Sequence, residues 1–159
     1  MLFAVNSTPM NDLVPFIDQD KSEILNTESK FYHVLQRKRV RSDADAELLL
    51  HIEFKQAVSI NEFCLYCRDG NKPAQVNLYS GYLSFDDVHA TKPVFTQKCS
   101  WKLDCSKSQI PFNKLRSIGE LTVFIPGNNT GDPDELTDLD GIGIFGSRVD
   151  TADTRNSKH

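Results

Sequence analysis

Residues 46–54 constrain the fold more than any other stretch. Leu48, Leu50, Ile52 and Phe54 alternate with Leu49, His51 and Glu53, the period of two that sends successive side chains to opposite faces of a strand. One face is expected to be buried and the other half-wet, with His51 a partly exposed strand residue and not a ligand. Val58 and Ile60 share a phase that Phe63 and Leu65 leave, and a bulge near Asn61-Glu62 explains the switch. Gln75-Val76-Asn77-Leu78-Tyr79 alternates again. Further strand candidates lie at Lys92 to Gln97, around Trp101-Lys102-Leu103, at Leu121 to Ile125 and at Ile142 to Gly146. Turn signals at Arg68 to Pro73 and at Pro126-Gly127-Asn128-Asn129 punctuate them. About seven or eight short strands near ten residues apart, without a long amphipathic helix, imply an all-β antiparallel sandwich or barrel and not a parallel α/β fold.

Around that frame, Asp20 to Ser29 reads as one helical turn with Ile24 and Leu25 packing inward, and Phe31 to Leu35 as a short segment laid against the body. Gly81 to Ala90 reads as a loop holding Phe85-Asp86-Asp87-Val88. Residues 151–159 have no apolar anchor after Ala152 and are expected to form a flexible tail, leaving 1–150 as one domain.

A length of 159 residues suits one domain with enough core to fold without metals or disulfides. A net charge of −4 gives no basic field for nucleic acid or an anionic membrane. No apolar run approaches the roughly 20 residues of a membrane span, and Met1 to Pro9 has no basic segment of the secretory kind. The expected location is therefore cytoplasmic, with the nucleus open, and a monomer is the default.

The chemistry-bearing patterns are weak. Cys64-Leu65-Tyr66-Cys67 is a Cys-x-x-Cys, but it lies in strand, where side chains three apart face opposite ways and neither pair nor share a metal easily. Cys99 and Cys105 are spaced too widely to complete a zinc site. Gly141 to Gly146 spells G-x-G-x-x-G in β-prone sequence and reads as small residues in a tight strand. No catalytic residue, metal site or cofactor is expected from spacing. Arg37, Lys38, Arg39 and Arg41 form a basic run that suits a nuclear-import or phosphate patch, or a solvated loop. Asp132, Asp134, Glu135, Asp138 and Asp140 suit calcium or, more simply, solvated acids and an Asx-turn. Asp86 and Asp87 form a second acidic pair.

One ordered set is more specific. Leu13-Val14-Pro15-Phe16-Ile17-Asp18 and Leu25-Asn26 precede Ser42-Asp43-Ala44-Asp45, which runs into Glu47 to Phe54. Phe85-Asp86-Asp87-Val88, Leu121 to Ile125 with Asn128-Asn129, and Thr137-Asp138-Leu139-Asp140-Gly141-Ile142-Gly143-Ile144-Phe145-Gly146 follow. In that order, over about Asn11 to Asp150, the chain resembles the PITH domain, named for proteasome-interacting thioredoxin. The resemblance implies a jelly-roll sandwich of the galactose-binding type. It also implies a non-enzymatic interaction module docking on the 19S regulatory particle of the 26S proteasome. No Trp-Cys-Gly-Pro-Cys site is present, so no redox activity is carried over. The candidate contact residues are Arg37, Lys38, Arg39, Arg41, Asp86, Asp87 and His159. His159, an imidazole beside its α-carboxylate, suits a metal on a partner such as the zinc-dependent deubiquitinase of the proteasome lid; the simpler reading gives it no role. Ser42, Asp43 and Asp45 suit bonds to turn backbone. The competing classes are a carbohydrate or small-molecule binder, for which Tyr79, Tyr82 and Trp101 are the loose platform candidates, with Trp101 expected in the core, and a nuclear or cytosolic scaffold using the basic run.

Overall fold

The computed structural model describes residues 10–149. Its strands are β1 (Asn11–Asp12), β2 (Glu23–Leu25), β3 (Val40–Arg41), β4 (Leu48–Tyr66), β5 (Gln75–Ser80), β6 (Phe95–Lys98), β7 (Trp101–Lys102), β8 (Cys105–Gln109), β9 (Ile118–Ile125), β10 (Asp138–Leu139) and β11 (Gly141–Arg148). Two short α-helices, α1 (Phe31–Leu35) and α2 (Phe85–Ala90), and two 3-10 turns, Val14–Phe16 and Gln19–Lys21, interrupt them.

The organising element is β4, whose 19 residues belong to both leaves of the sandwich. Residues 48–53 pair with β9 on one side, and residues 49–51 with β2 on the other; β5 continues from β9 and β6 from β5. Residues 58–66 pair with β11 and residues 62–66 with β8, while β1 extends from β11 and β7 from β8. Every pairing is antiparallel, and the whole is a jelly-roll β-sandwich. Leu50 and Ile52 of one leaf, with Val123 and Leu121 of β9, meet Phe63, Leu65, Ile142 and Ile144 of the other in one buried cluster. Burial of this apolar surface, at about 25 cal/mol per Å², is the main force holding the leaves together.

The anticipated bulge is present. Phe145 lies opposite Glu62 and Gly146 opposite Ile60, so Asn61 is the extra residue and Phe63 and Leu65 return to the core face. Other expectations are corrected. Ile24 and Leu25 lie on β2, paired with Leu50 and Leu49, and not on a helical turn. Ladder bonds to β4 satisfy their backbone better than one isolated turn can. His51 is 7% exposed, so the second face of β4 is drier than its alternation suggests. Leu49 on that face joins Tyr79, Val88 and Phe124 in a second apolar cluster, under which Leu25, Leu83 and Phe85 also pack. The loop at 81–90 contains α2, and Phe85 anchors it edge-on to Phe124, with ring centroids 6.4 Å apart. Residues 150–159, with the expected tail and His159, lie outside the described residues.

Candidate functional site

The sequence RVR at 39–41 and DLD at 138–140 alternate charge, apolar, charge. They meet antiparallel: Arg41 pairs with Asp138 and Val40 with Leu139, which brings Arg39 opposite Asp140. Val40 and Leu139 are fully buried, so the period of two turns all four charged side chains to the opposite face. Arg39 donates from Nε to Asp140 Oδ1 and from a terminal nitrogen to Oδ2, both at 2.9 Å. Arg41 makes the same fork on Asp138, at 2.7 and 3.2 Å. Such bidentate guanidinium–carboxylate pairs are the stronger kind of ion pair.

The network draws in the neighbouring loop. The amide of Arg68 donates to Asp140 at 2.7 Å and the amide of Asn71 to Asp138 at 2.9 Å. Arg39 also reaches the carboxylate of Asp69, at 2.9 Å. Gly70 stands between at φ +89°, where a Cβ would run into Asp138 Oδ2, so only glycine closes the loop over the carboxylate. Burial pushes the Asp140 carboxyl up, but hydrogen bonds from Arg39 and the Arg68 amide, with both guanidinium charges, outweigh this and hold it below the usual carboxylate range. The Arg39 guanidinium is driven the other way, further into its charged form, chiefly by its bond to Asp140.

Beneath this network the segment 126–140 is bonded into the body. Asn128 donates to Glu135 O and to Thr137 Oγ1; Thr137 donates its hydroxyl to Ala46 O and its amide to Ser42 Oγ. Asp45 accepts from the Glu47 amide and from Asn26. Ser42 and Asp45 therefore fix turns, as their position before a strand implies. Asp132 forms the anticipated Asx-turn with the Asp134 amide. Asp138 and Asp140, by contrast, are buried and paired, not solvated.

Three of the end loops, 37–45, 68–73 and 126–138, thus converge on one end of the domain. Within the basic run the residues part company. Arg39 is held on three sides and Arg41 is forked on Asp138. Arg37 lies 3.4 Å over the ring of Tyr66 and Lys38 is exposed. The run is therefore not an evenly solvated loop. Arg37, Lys38 and Arg41, whose side chain is 57% exposed despite its fork, make its accessible rim with the exposed Arg68 and Asp69. Asp86 and Asp87 sit apart on α2. Asp87 closes a capping box with Ser84, while Asp86 is exposed. His89 of α2 bonds Glu47 at 3.0 Å, which links this element to the segment leading into β4.

Cys64 lies on β4 and Cys105 on β8, while Cys67 and Cys99 fall just past the ends of β4 and β6, so the Cys-x-x-Cys does not lie wholly in strand as expected. Cys64 faces Glu62, whereas Cys67 donates to the carbonyls of Asp69 and Asp138. Burial pushes the Cys64 thiol up to about 12, and the Cys67 and Cys99 thiols up to about 11. The folded chain is expected to react with a thiol reagent at pH 8 at least about 100-fold more slowly at these three positions than after unfolding. Rapid labelling of Cys64 and Cys67 in the folded chain contradicts this.

Trp101 is half-buried at the margin of the core and not within it as expected; it packs against the core cluster and donates its indole N–H to Pro73 O at 2.9 Å. Tyr79 is buried, and of the three aromatic candidates Tyr82 alone is exposed. A groove of about 480 Å³ beside β7 and β8 is lined, among the described residues, by Ser100, Lys102, Cys105, Lys107 and Gln109, none of them aromatic. A smaller cleft of about 250 Å³, lined by Arg37, Tyr66, Cys67, Arg68, Asp104 and Asp140, falls below the usual range for small-molecule pockets.

Among solved structures the chain resembles carbohydrate-binding modules. The C-terminal domain of a chitobiase from Bacteroides fragilis aligns with a TM-score of 0.61 at 11% identity, over 88% of this chain and 100% of that one. CBM32-3 from a family 31 glycoside hydrolase of Clostridium perfringens aligns with a TM-score of 0.59 at 11% identity, over 85% and 97%. The family 32 module of C. perfringens NanJ, solved with galactose, gives 0.57 at 6% identity, over 86% and 99%. At these identities the likeness concerns the fold. No curated protein matches the chain in sequence. The PITH domain model matches residues 4–158, and the chain belongs to the PITH domain family.

Proposed function

We propose that this chain is a non-catalytic interaction module that docks on the regulatory particle of the 26S proteasome, in the cytoplasm and nucleus. The observation that carries the reading is the family match over nearly the whole chain, 4–158. The geometry supports it: the charged network spends its buried groups on fixing three loops, which leaves a rigid, exposed rim suited to a protein surface. Preordered loops lose little entropy on binding. The rim offers Arg37, Lys38 and Arg68, and nearby Leu103 is 92% exposed, on a loop held by Lys72 Nζ bonding its carbonyl. An exposed large aliphatic side chain beside a basic rim is a suitable anchor for an acidic, partly apolar partner surface. Asp86 is a further contact candidate on α2.

The carbohydrate reading draws on fold likeness alone, and the described residues give Tyr82 no neighbouring aromatic platform. The direct test is binding of the full chain to purified regulatory particle. The double substitution Arg37→Glu/Lys38→Glu is expected to weaken it about 10-fold, or about 1.4 kcal/mol, with most of the loss in the association rate. Unchanged affinity removes this rim from the interface. A saturable response to galactosides, with none to the particle, overturns the docking reading.

A further inference from the structure

On the outer face of the β2–β4–β9 leaf, away from the charged network, one imidazole nitrogen has no partner. His51 of β4 has a side chain 9% exposed, and its buried Nε2 makes no hydrogen bond. It points at Glu120 of β9, with Oε2 3.4 Å away but not in hydrogen-bonding geometry. Glu53, two residues along β4 on the same face, lies directly opposite Glu120 in the ladder. One donor atom from each of His51, Glu53 and Glu120 lies within 4.8 Å of the other two.

Two features of this arrangement ask for a cation. Like charges directly opposed across two strands repel, and among the described residues Glu53 has only Lys21, 3.8 Å away and largely exposed, to offset it. A buried ring nitrogen without a partner is also costly. Around His51 the structure holds everything else in place. Thr122, its cross-strand neighbour, donates to Gly81 O and accepts from the Leu83 amide. That fastens the loop so that Tyr82 lies edge-on over the imidazole, ring centroids 4.4 Å apart. Glu23 of β2 stands opposite His51 on the other side and adds negative potential.

We propose that His51, Glu53 and Glu120 bind a divalent first-row transition ion of the zinc class. One imidazole and two carboxylates form a donor set that such ions accept, with water completing the sphere. Two ligands each about 2.05 Å from a tetrahedral ion stand about 3.3 Å apart, close to the separation of Nε2 and Oε2. The side chains of Glu53 and Glu120 keep 29% and 41% of their surface in water, which leaves the remaining carboxylate free to turn toward the ion. The site is independent of the docking reading.

The test uses the full chain, stripped with a chelator and titrated with zinc chloride by calorimetry and with cobalt chloride by absorbance. One equivalent is expected to bind, raising the melting temperature, with cobalt bands in the visible and no thiolate-to-cobalt band. Glu53→Gln/Glu120→Gln is expected to weaken zinc by more than about 100-fold, beyond the loss that outer-shell partners cause. By relieving repulsion it is also expected to melt higher than the stripped wild type. If the double variant does not fold, Glu120→Gln alone, on the exposed side, is expected to weaken zinc at least 10-fold. Absence of saturable binding at about 100 times the micromolar range, affinity undiminished in the variants, or a thiolate band each overturns the assignment.

Discussion

Replacing Asp140 with alanine is expected to destabilise the fold by about 3 kcal/mol, the lower end of the cost of breaking a buried ion pair. The lower end applies because Asp140 is buried while the side chain of Arg39 keeps 29% of its surface in water. The loss has two parts: Arg39 is left without its main partner, and the Arg68 amide without its acceptor. Urea unfolding reads it as a lower midpoint at an unchanged slope. Arg39→Met in the same background is expected to cost less than it does alone, and a loss below about 1 kcal/mol for Asp140→Ala contradicts the account. The pair also sets a pH response. The unfolded chain binds a proton at Asp140 more readily than the folded one, so the stabilisation is complete above the ordinary carboxylate pKa of about 4. It drains away as pH falls through the lower folded value. Between pH 5 and pH 2 the wild type is therefore expected to lose more stability than Asp140→Asn.

Gly146→Ala is expected to cost a similar amount, about 3 kcal/mol, by a different route. At the bulge β11 comes so close to β4 that a Cβ on residue 146 would collide with the backbone carbonyl of Ser59. A backbone atom in the middle of a ladder cannot rotate away, so the two strands must part, and with them the junction of the leaves. Gly119→Ala, where an added Cβ meets nothing within 4 Å, is the control and is expected to change stability by less than about 1 kcal/mol. Equal effects at both positions contradict the close-approach argument.

The parts of this fold legible in the sequence are those where one side of a strand is oily. The alternation from Leu48 to Phe54 and the phase slip after Ile60 locate the core face and its bulge. β8 escapes the same logic, because Cys105 to Gln109 alternates serine with lysine and glutamine and its inward face is built of Ser106 and Ser108. β2 escapes it because three residues are too few to show a period.

The charged network was half legible. Asp138 and the basic run were each visible, but as an acidic loop and a basic loop about 100 residues apart. The usable signal was the matching pattern of charge, apolar, charge at 39–41 and 138–140, which suits two short strands paired face to face. A run of cations seen alone suggests a free patch; seen with its complement, much of it is already spent. His51 is more buried than its alternation suggests for a related reason. Its neighbours in sequence say little about Tyr82, which reaches it from 31 positions away.

The most direct measurement of proteasome docking is affinity capture of the full chain from its native cell lysate, read by mass spectrometry, beside a 151–159 deletion and the Arg37→Glu/Lys38→Glu variant. The account predicts enrichment of 19S regulatory-particle subunits by the wild type and a clear loss with the charge reversal. Recovery of no such subunits by a folded bait contradicts it.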